Sequence, residues 1–136
     1  MIRTGWGGDN PAFRQVFTSM FMPDAPPFIS RIFNEFQRIS APPEDAARFV
    51  ESLTLTDARD LATRVRAPAL VIHLDGDQIV PFESGREIAA LIPGARLLSL
   101  EGRNHAIDPQ DGAYQPLADA LREFFGADLE ATSASR

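Results

Sequence analysis

In the first half of the chain, apolar residues recur every three or four positions, the spacing of one helix face. Proline-rich or polar breaks separate four such segments, which predict helices at about 11–22, at 27–39, from 40–44 onward and at 57–65. Inward faces are expected at Phe28, Ile32, Phe33, Phe36 and Ile39 of the second helix, Ala46, Ala47, Phe49, Val50 and Leu53 of the third, and Leu61 and Val65 of the fourth. The glycine-rich residues 1–9 are expected to be irregular. Residues 1–65 thus form a predicted helical region.

The pattern changes after Pro68. Residues 69–74 and 95–100 are short, mostly apolar runs, typical of strands buried in a parallel sheet. Helical spacing returns between them at 82–91 and after them at 112–125. The second half, 66–126, therefore predicts a βαβα unit whose two parallel strands are joined by a right-handed crossover. The small and polar residues 127–136 are expected to form a flexible tail.

Composition narrows the class of protein. The 136 residues suit one soluble domain, and the absence of cysteine excludes disulfides and thiolate chemistry. The net charge of −6 comes without any basic run, which argues against direct nucleic-acid binding. No apolar stretch approaches the roughly 20 residues of a membrane span, and the N-terminus lacks a signal-peptide apolar region. We therefore expect a cytoplasmic protein without a membrane partner.

Chemically capable side chains follow both predicted strands. Asp75 and Asp77 come after the first strand, and Glu101, Asn104 and His105 come after the second. The carboxyl ends of neighbouring parallel strands meet at one edge of a sheet, where ligands of such folds gather. Contact there would let the Asp77 carboxylate orient the His105 ring and stabilise the imidazolium form. Asp77 and His105 are therefore the candidate catalytic residues.

A metal site is the weaker alternative at this edge. His73 and Asp75 flank the end of the first strand close to Asp77, and imidazole and carboxylate groups are metal ligands. We prefer the interpretation that His73 packs within the strand and that Asp75 is a turn residue. The sequence therefore predicts neither a metal nor a cofactor.

Two segments carry a resemblance to a known family. Residues 66–81, RAPALVIHLDGDQIVP, place Asp77 four positions before Pro81, and residues 93–105, PGARLLSLEGRNH, end at His105. Both segments, in this order, resemble the acid and histidine segments in the C-terminal part of the α/β-hydrolase fold. The resemblance implies a partial α/β-hydrolase fold, with a helical lid at 1–65, Asp77 as the triad acid and His105 as its base. Residues 6–40 further resemble hydrolase-like modules joined to helix-turn-helix regulators or nucleotide cyclases.

The chain departs from the family at the nucleophile. In the family a Gly-x-Ser-x-Gly elbow precedes the lid, yet neither Ser nor Cys stands two residues after any of the nine glycines. A smaller departure is Leu74, where the family often has glycine. The chain is therefore expected to be a fragment of a longer protein, or a reduced form whose open strand edge is covered. The missing N-terminal half or a second copy of the chain would cover that edge.

Three functions remain open at this stage. The resemblance favours an esterase-like acyl hydrolase that takes a small apolar or ester ligand. The missing nucleophile favours instead a non-catalytic, ligand-sensing or regulatory module. An open sheet edge and an apolar helical region are also compatible with a truncated, self-associating domain, such as a homodimer. Phe28, Phe33 and Phe36 would line an acyl pocket in the first case, although such a stripe is more often core.

Overall fold

The computed structural model describes residues 2–8 and 10–134 of the chain, and side chains up to position 126. The elements are α1 (Ile2–Gly5), α2 (Pro11–Phe21), α3 (Pro27–Ser40), α4 (Pro43–Leu55), α5 (Arg59–Ala62), β1 (Leu70–Leu74), α6 (Phe82–Leu91), β2 (Arg96–Leu100) and α7 (Tyr114–Ala134). A helical region followed by a βαβα unit is therefore confirmed. None of the described helices is both long and apolar enough to cross a bilayer.

The two strands form a parallel pair, as predicted. Leu70 lies opposite Arg96, and the register continues to Leu74 opposite Leu100. The end of each strand is its most buried point, because Leu74 and Leu100 pack with Ala113 in the core of this half. Partly buried apolar side chains surround that core: Ile72, Leu98, Ile107 and Leu117. This arrangement fixes the carboxyl ends of both strands side by side.

Helix α6 packs on β1 through a glycine. A Cβ atom on Gly85 would lie 2.6 Å from Cδ2 of the His73 ring, and that ring also meets Phe82 edge-on with centroids 5.6 Å apart. The Nδ1 atom of His73 is 2.8 Å from the carbonyl oxygen of Leu74. His73 thus packs between β1 and α6.

Proline and asparagine mark the helix starts of the first half. Pro11, Pro27 and Pro43 each occupy the first turn of a helix, where the missing N–H costs nothing because no intrahelical acceptor exists there. Asn10 additionally caps α2, since its Oδ1 accepts the Ala12 N–H at 2.9 Å. The predicted helix boundaries are accurate where these local signals exist.

The expectation that residues 1–9 are irregular is wrong for residues 2–5, which form the short helix α1. Positions 1 and 9 lie outside the described residues. Contacts far along the chain hold this turn. Arg3 forms ion pairs with Glu44 and Glu51 of α4, and the indole N–H of Trp6 donates to the carbonyl oxygen of Ala41 at 3.1 Å. These contacts are made with residues about 40 positions away, so the sequence of residues 1–9 alone does not predict a helix.

The inward faces expected for the third and fourth helices are only partly right. In α4, Ala46 and Ala47 are buried, while Phe49 and Leu53 are mostly exposed. Helix α5 has only four residues, and it buries Ala62 rather than Leu61. In both helices small alanines allow close packing, and the larger side chains remain on the outer face.

Helix α3 shows the largest difference from expectation. Its inner face carries the buried Gln37 and the partly buried Phe33, and it packs on α2. The opposite face, called here the α3 stripe, has exposed fractions of 46–66% and consists of Phe28, Ile32, Phe36 and Ile39. Assigning these four residues to the core is therefore wrong for the described chain, in which the stripe remains largely uncovered.

The C-terminal helix is longer than predicted. Helix α7 continues to Ala134, whereas its apolar spacing ends at about Phe125. Residues 127–134 are therefore helical in backbone rather than irregular. Positions 135 and 136 lie outside the described residues, and the flexibility of the tail stays a prediction.

Candidate active site

The acid residue lies in a tight turn where the two strand ends meet. The N–H groups of Asp75 and Gly76 donate to the carbonyl oxygens of Leu100 and Gly102, at 3.0 and 2.9 Å, which extends the pairing beyond the strands. A Cβ atom on Gly76 would come within 2.9 Å of the Gly102 carbonyl oxygen, so the close approach requires glycine. This approach brings the segment after β1 next to the segment after β2.

Asp77 is held by its own turn. Its Oδ1 atom accepts the backbone N–H groups of Ile79 at 2.8 Å and Val80 at 3.2 Å. This is the local bonding by which Asp side chains stabilise turns. The side chain is only 6% exposed, so the carboxylate has little freedom to turn away. Its second oxygen, Oδ2, is therefore fixed in direction.

That second oxygen meets the histidine. Oδ2 of Asp77 lies 2.7 Å from Nδ1 of His105, which brings together the two residues singled out from the sequence. An ionised carboxylate only accepts hydrogen bonds, so Nδ1 carries the proton and Nε2 carries the lone pair. The His105 side chain is 36% exposed, which leaves the ring accessible from solvent. The geometry suits an oriented acid–base pair, while the catalytic role of both residues stays a prediction.

Two opposing effects set the charge of Asp77. Burial raises the pKa of the Asp77 carboxyl, but the hydrogen bonds from His105 and from the backbone of Ile79 and Val80 lower it. The bonds outweigh burial, and the pKa lies below its ordinary value. Asp77 is therefore ionised at neutral pH, as an orienting partner for imidazole must be.

The loop that carries the histidine is attached to the helical region. We call residues 103–105 the histidine loop and residues 21–24 the α2 turn. The His105 N–H donates to the Phe21 carbonyl oxygen at 2.7 Å, and Oδ1 of Asn104 accepts the Asp24 N–H at 2.9 Å. Nε of Arg103 donates to the Asp24 carboxylate at 2.9 Å, and this bond lowers the pKa of Asp24. All three residues of the loop thus contact the α2 turn.

These partners were not found by sequence reasoning. The sequence indicates that Arg103 and Asn104 shape the histidine loop, but it does not identify Phe21 or Asp24 as the residues that they and His105 contact. About 80 positions separate the two segments. Polar residues are common after helix ends, so the sequence around Asp24 does not indicate a contact with the histidine loop.

Aromatic rings lie beside the histidine. The Phe21 ring meets the His105 ring edge-on with centroids 5.3 Å apart. Phe21 also stacks with Phe17 at 4.5 Å and lies 6.0 Å from Phe33. The helical region therefore presents an apolar wall to one side of the imidazole.

A shallow pocket of about 290 Å³ includes the acid–base pair. Its lining is mostly apolar: Ile72, His73, Leu74, Asp77, Val80, His105, Ile107 and Leu117. The environment combines one oriented imidazole with hydrocarbon surface, as in a site for a small apolar ligand.

The remaining polar candidates do not join the pair. Oδ1 of Asp75 accepts the Gly102 N–H at 3.2 Å, so Asp75 acts in the turn, and Glu101 is exposed. The Nδ1 atom of His73 lies within hydrogen-bond distance of the Leu74 carbonyl oxygen, and its ring packs against α6. Among the side chains that the structure describes, at residues 2–8 and 10–126, no group of three or more carboxylate or imidazole side chains gathers as a metal site.

Two curated proteins resemble the chain in sequence. The non-heme chloroperoxidase of Kitasatospora aureofaciens is 35% identical over 82 residues, which are 60% of this chain and 30% of that protein. The bifunctional esterase/perhydrolase of Acinetobacter calcoaceticus is 32% identical over 59 residues, 43% of this chain and 21% of that protein. The matched segments cover less than a third of either relative. No protein-family profile matches the chain.

The fold is also found in solved structures. An esterase from Exiguobacterium antarcticum superposes with a TM-score of 0.68 at 21% identity, covering 90% of this chain and 43% of that one. The chain thus spans less than half of that structure. Its fold is a partial α/β-hydrolase fold, and its sequence is similar to parts of an esterase/perhydrolase and of a chloroperoxidase.

Proposed function

We propose that this chain provides the acid and the general base of an esterase-like acyl hydrolase, with Asp77 as the acid and His105 as the base. The observation that carries the proposal is the 2.7 Å contact between Asp77 and His105, made by a carboxylate whose other oxygen is fixed by two backbone N–H groups. Similarity to esterases supports the substrate class.

In the proposed reaction, Nε2 of His105 accepts the proton of a hydroxyl nucleophile as its oxygen bonds to the ester carbonyl carbon. Asp77 stabilises the resulting imidazolium through Nδ1. The imidazolium then returns the proton to the alcohol oxygen as the bond from that oxygen to the acyl carbon breaks. Water then attacks the acyl carbon of the covalent intermediate while His105 accepts its proton. His105 returns that proton to the oxygen of the nucleophile as the carboxylic acid is released, which restores neutral His105.

We propose that the nucleophile comes from polypeptide outside these 136 residues, since the sequence has no Gly-x-Ser-x-Gly elbow. In the described chain β1 pairs only with β2, so the other edge of β1 is open to a further strand. A unit that extends the sheet at this edge would bring its own strand ends towards Asp77 and His105. The proposed partner is therefore the missing half of the sheet, and a second copy is the alternative.

The test begins with the coding sequence upstream of Met1. If it continues in frame into a Gly-x-Ser-x-Gly motif, the extended protein is assayed with p-nitrophenyl acetate. We expect His105→Ala to lower kcat by roughly 10²–10⁴-fold, because a general base contributes about that much. Asp77→Asn should lower kcat as well, since it removes the carboxylate that fixes the tautomer.

Asp75→Asn is the matched control, because Asp75 is exposed, does not line the pocket, and accepts the Gly102 N–H through Oδ1, a bond that the side-chain oxygen of Asn can also accept. Its kcat should stay within a few fold of the parent value if the variant folds. Equal activity of the extended protein and its His105→Ala variant would refute the proposal. An in-frame stop codon just upstream of Met1 would favour the second candidate.

The second candidate is a non-catalytic module that binds a small apolar ligand. The apolar pocket around the acid–base pair, in a chain without the elbow, is the observation that favours it. This function predicts saturable binding of phenyl acetate without turnover, seen as a rise in melting temperature with ligand concentration. Val80→Asp, in the pocket lining, should abolish the rise, and an unchanged melting temperature of the parent chain across a panel of esters would exclude this function.

A further inference from the structure

Asn104 differs from both of its neighbours in the histidine loop. Arg103 and His105 are exposed, whereas Asn104 is only 3% exposed. Both ends of its amide are used in the interior. Oδ1 accepts the Asp24 N–H at 2.9 Å, and Nδ2 donates to Oδ2 of Asp111 at 2.7 Å. One buried side chain thus joins the histidine loop to the α2 turn, 80 positions away, and to Asp111, seven positions further along the chain.

Asp24 and Asp111, the two anchors of Asn104, are themselves held by neighbouring elements. The second oxygen of Asp111 accepts the Ala113 N–H at 2.9 Å, just before α7 begins. Asp24 follows α2, whose last residue, Phe21, has a carbonyl group without an intrahelical partner and accepts the His105 N–H. The backbone on the N-terminal side of the His105 Cα atom is therefore tied to ordered elements.

Only an amide satisfies both anchors. The Asp24 N–H requires an acceptor, and the Asp111 carboxylate requires a donor. A carboxylate at position 104 would face that of Asp111 and repel it, and alanine would leave the Asp24 N–H and the Asp111 carboxylate without this partner. The neighbouring Arg103–Asp24 ion pair is exposed and contributes little by comparison.

We propose that Asn104 is a positioning residue for His105: through Asp24 and Asp111 it holds the loop so that Nδ1 of the imidazole faces the Asp77 carboxylate. The geometric part of this proposal is independent of catalysis. Its consequence for the rate of hydrolysis rests on the proposed function. Because the ring of His105 is partly exposed, a loop released from its anchors has room to turn the ring towards solvent.

The test is nitrogen-15 NMR of the histidine rings in the whole chain. In the parent, the Nδ1 proton of His105 should give a downfield resonance typical of a bond to a carboxylate, and the neutral ring should be protonated on Nδ1 rather than on Nε2. Asn104→Ala and Asn104→Asp should lose that resonance and show a mixture of ring tautomers. Arg103→Ala, which removes only the exposed ion pair, should keep it.

A charge-swapped variant supplies the rescue. In Asn104→Asp with Asp111→Asn, the carboxylate and the amide exchange places, so the Asp24 N–H keeps an acceptor and the 104–111 bond is restored with reversed polarity. This double variant should recover the downfield resonance. A resonance that persists in folded Asn104→Ala would overturn the proposal. If both single variants unfold, a folded double variant without the resonance would overturn it equally.

The readout separates this proposal from the proposed function. The Nδ1 resonance needs no nucleophile, so it tests the position of His105 even if no form of the protein hydrolyses an ester. In an active extended protein, Asn104→Ala should lower kcat by about 10²-fold with KM nearly unchanged, as expected for a misplaced catalytic group. Loss of the resonance with no activity in any form would retain the positioning role and reject the hydrolase.

Discussion

Asp77 couples its charge to the stability of the fold. Its pKa is held below the ordinary value of 3.8, so the folded state binds its proton less readily than the unfolded chain does. The stabilisation is complete above that ordinary value and is lost as pH falls through the lower folded pKa. The same bonds that orient the acid towards His105 therefore make the site sensitive to acid.

We predict that Asp77→Asn lowers the free energy of unfolding by about 1–3 kcal/mol at pH 7, because hydrogen bonds to a charged group are replaced by weaker ones. The difference from the parent should shrink as pH is lowered below about 4. Urea unfolding from pH 7 to pH 3 measures this. Asp60→Asn, at an exposed position of α5, is the control and should differ little from the parent. A difference that stays constant down to pH 3 would contradict the assignment.

Single residues also show how far sequence reasoning reaches. Asp77 and His105 could be predicted because each stands in a local segment with its own strand and turn. The partners of Asn104 could not, since Asp24 and Asp111 belong to separate segments that only the folded chain brings together. Local pattern thus predicts that Asp77 and His105 lie close together, but it does not reveal the contacts of the histidine loop.

At the level of elements, α2 and α3 are joined by polar side chains inside their contact. Thr18 is fully buried and Gln37 is 2% exposed. Nε2 of Gln37 donates to the Thr18 hydroxyl at 2.7 Å, and that hydroxyl donates to Oδ1 of Asn34. A helical wheel predicts the apolar side of each helix, but it does not predict this polar seam.

Thr18→Val keeps the shape of the side chain and removes the hydroxyl. We predict a loss of about 1–3 kcal/mol in the free energy of unfolding, because the Gln37 amide would be left buried without its acceptor. Ser19→Ala is the control, since Ser19 is exposed and its hydroxyl bonds only within α2 in the described structure. Chemical denaturation of both variants measures the difference, and equal stability of the two would show that the seam does not stabilise the helix pair.

The contact between α6 and β1 depends on a residue without a side chain. We predict that Gly85→Ala lowers the free energy of unfolding by about 1–3 kcal/mol, as overpacking does, because the new methyl group would overlap the His73 ring. Gly126→Ala, with no atom within 4 Å of the added methyl group, should instead be neutral or stabilising by about 0.5–1 kcal/mol. Thermal unfolding of the pair tests this, and a fully stable Gly85→Ala variant would argue against close packing.

At the scale of the whole molecule, the order of elements from α2 onward could be predicted, whereas α1 and the extent of the core could not. Periodicity identified the helical region and both strands, because each segment carries its own spacing and breaks. The α3 stripe has the spacing of a buried face, yet it is exposed in this chain. Hydrophobic spacing predicts that one face of a helix packs against other residues. It does not show whether those residues belong to the same 136-residue chain.

The exposed stripe leads to a prediction about association. Four large apolar side chains on one helix, together with an open sheet edge, favour contact between copies when nothing else covers them. We predict that the chain alone associates reversibly at micromolar concentration. Replacing Ile32 and Phe36 together by Glu should weaken this association at least about tenfold, a loss of roughly 1.4 kcal/mol. Sedimentation velocity over a concentration series measures both.

Both substituted side chains are more than half exposed, so the double variant should keep its fold, which circular dichroism checks. Arg31→Glu, at another exposed position of α3, controls for the added negative charge. A parent chain that stays monomeric at these concentrations would contradict the prediction. It would show that the exposed α3 stripe and the open strand edge do not drive association. Association that survives the Ile32 and Phe36 substitutions would move the contact to the open edge of β1, the edge at which we propose that the missing half of the sheet binds.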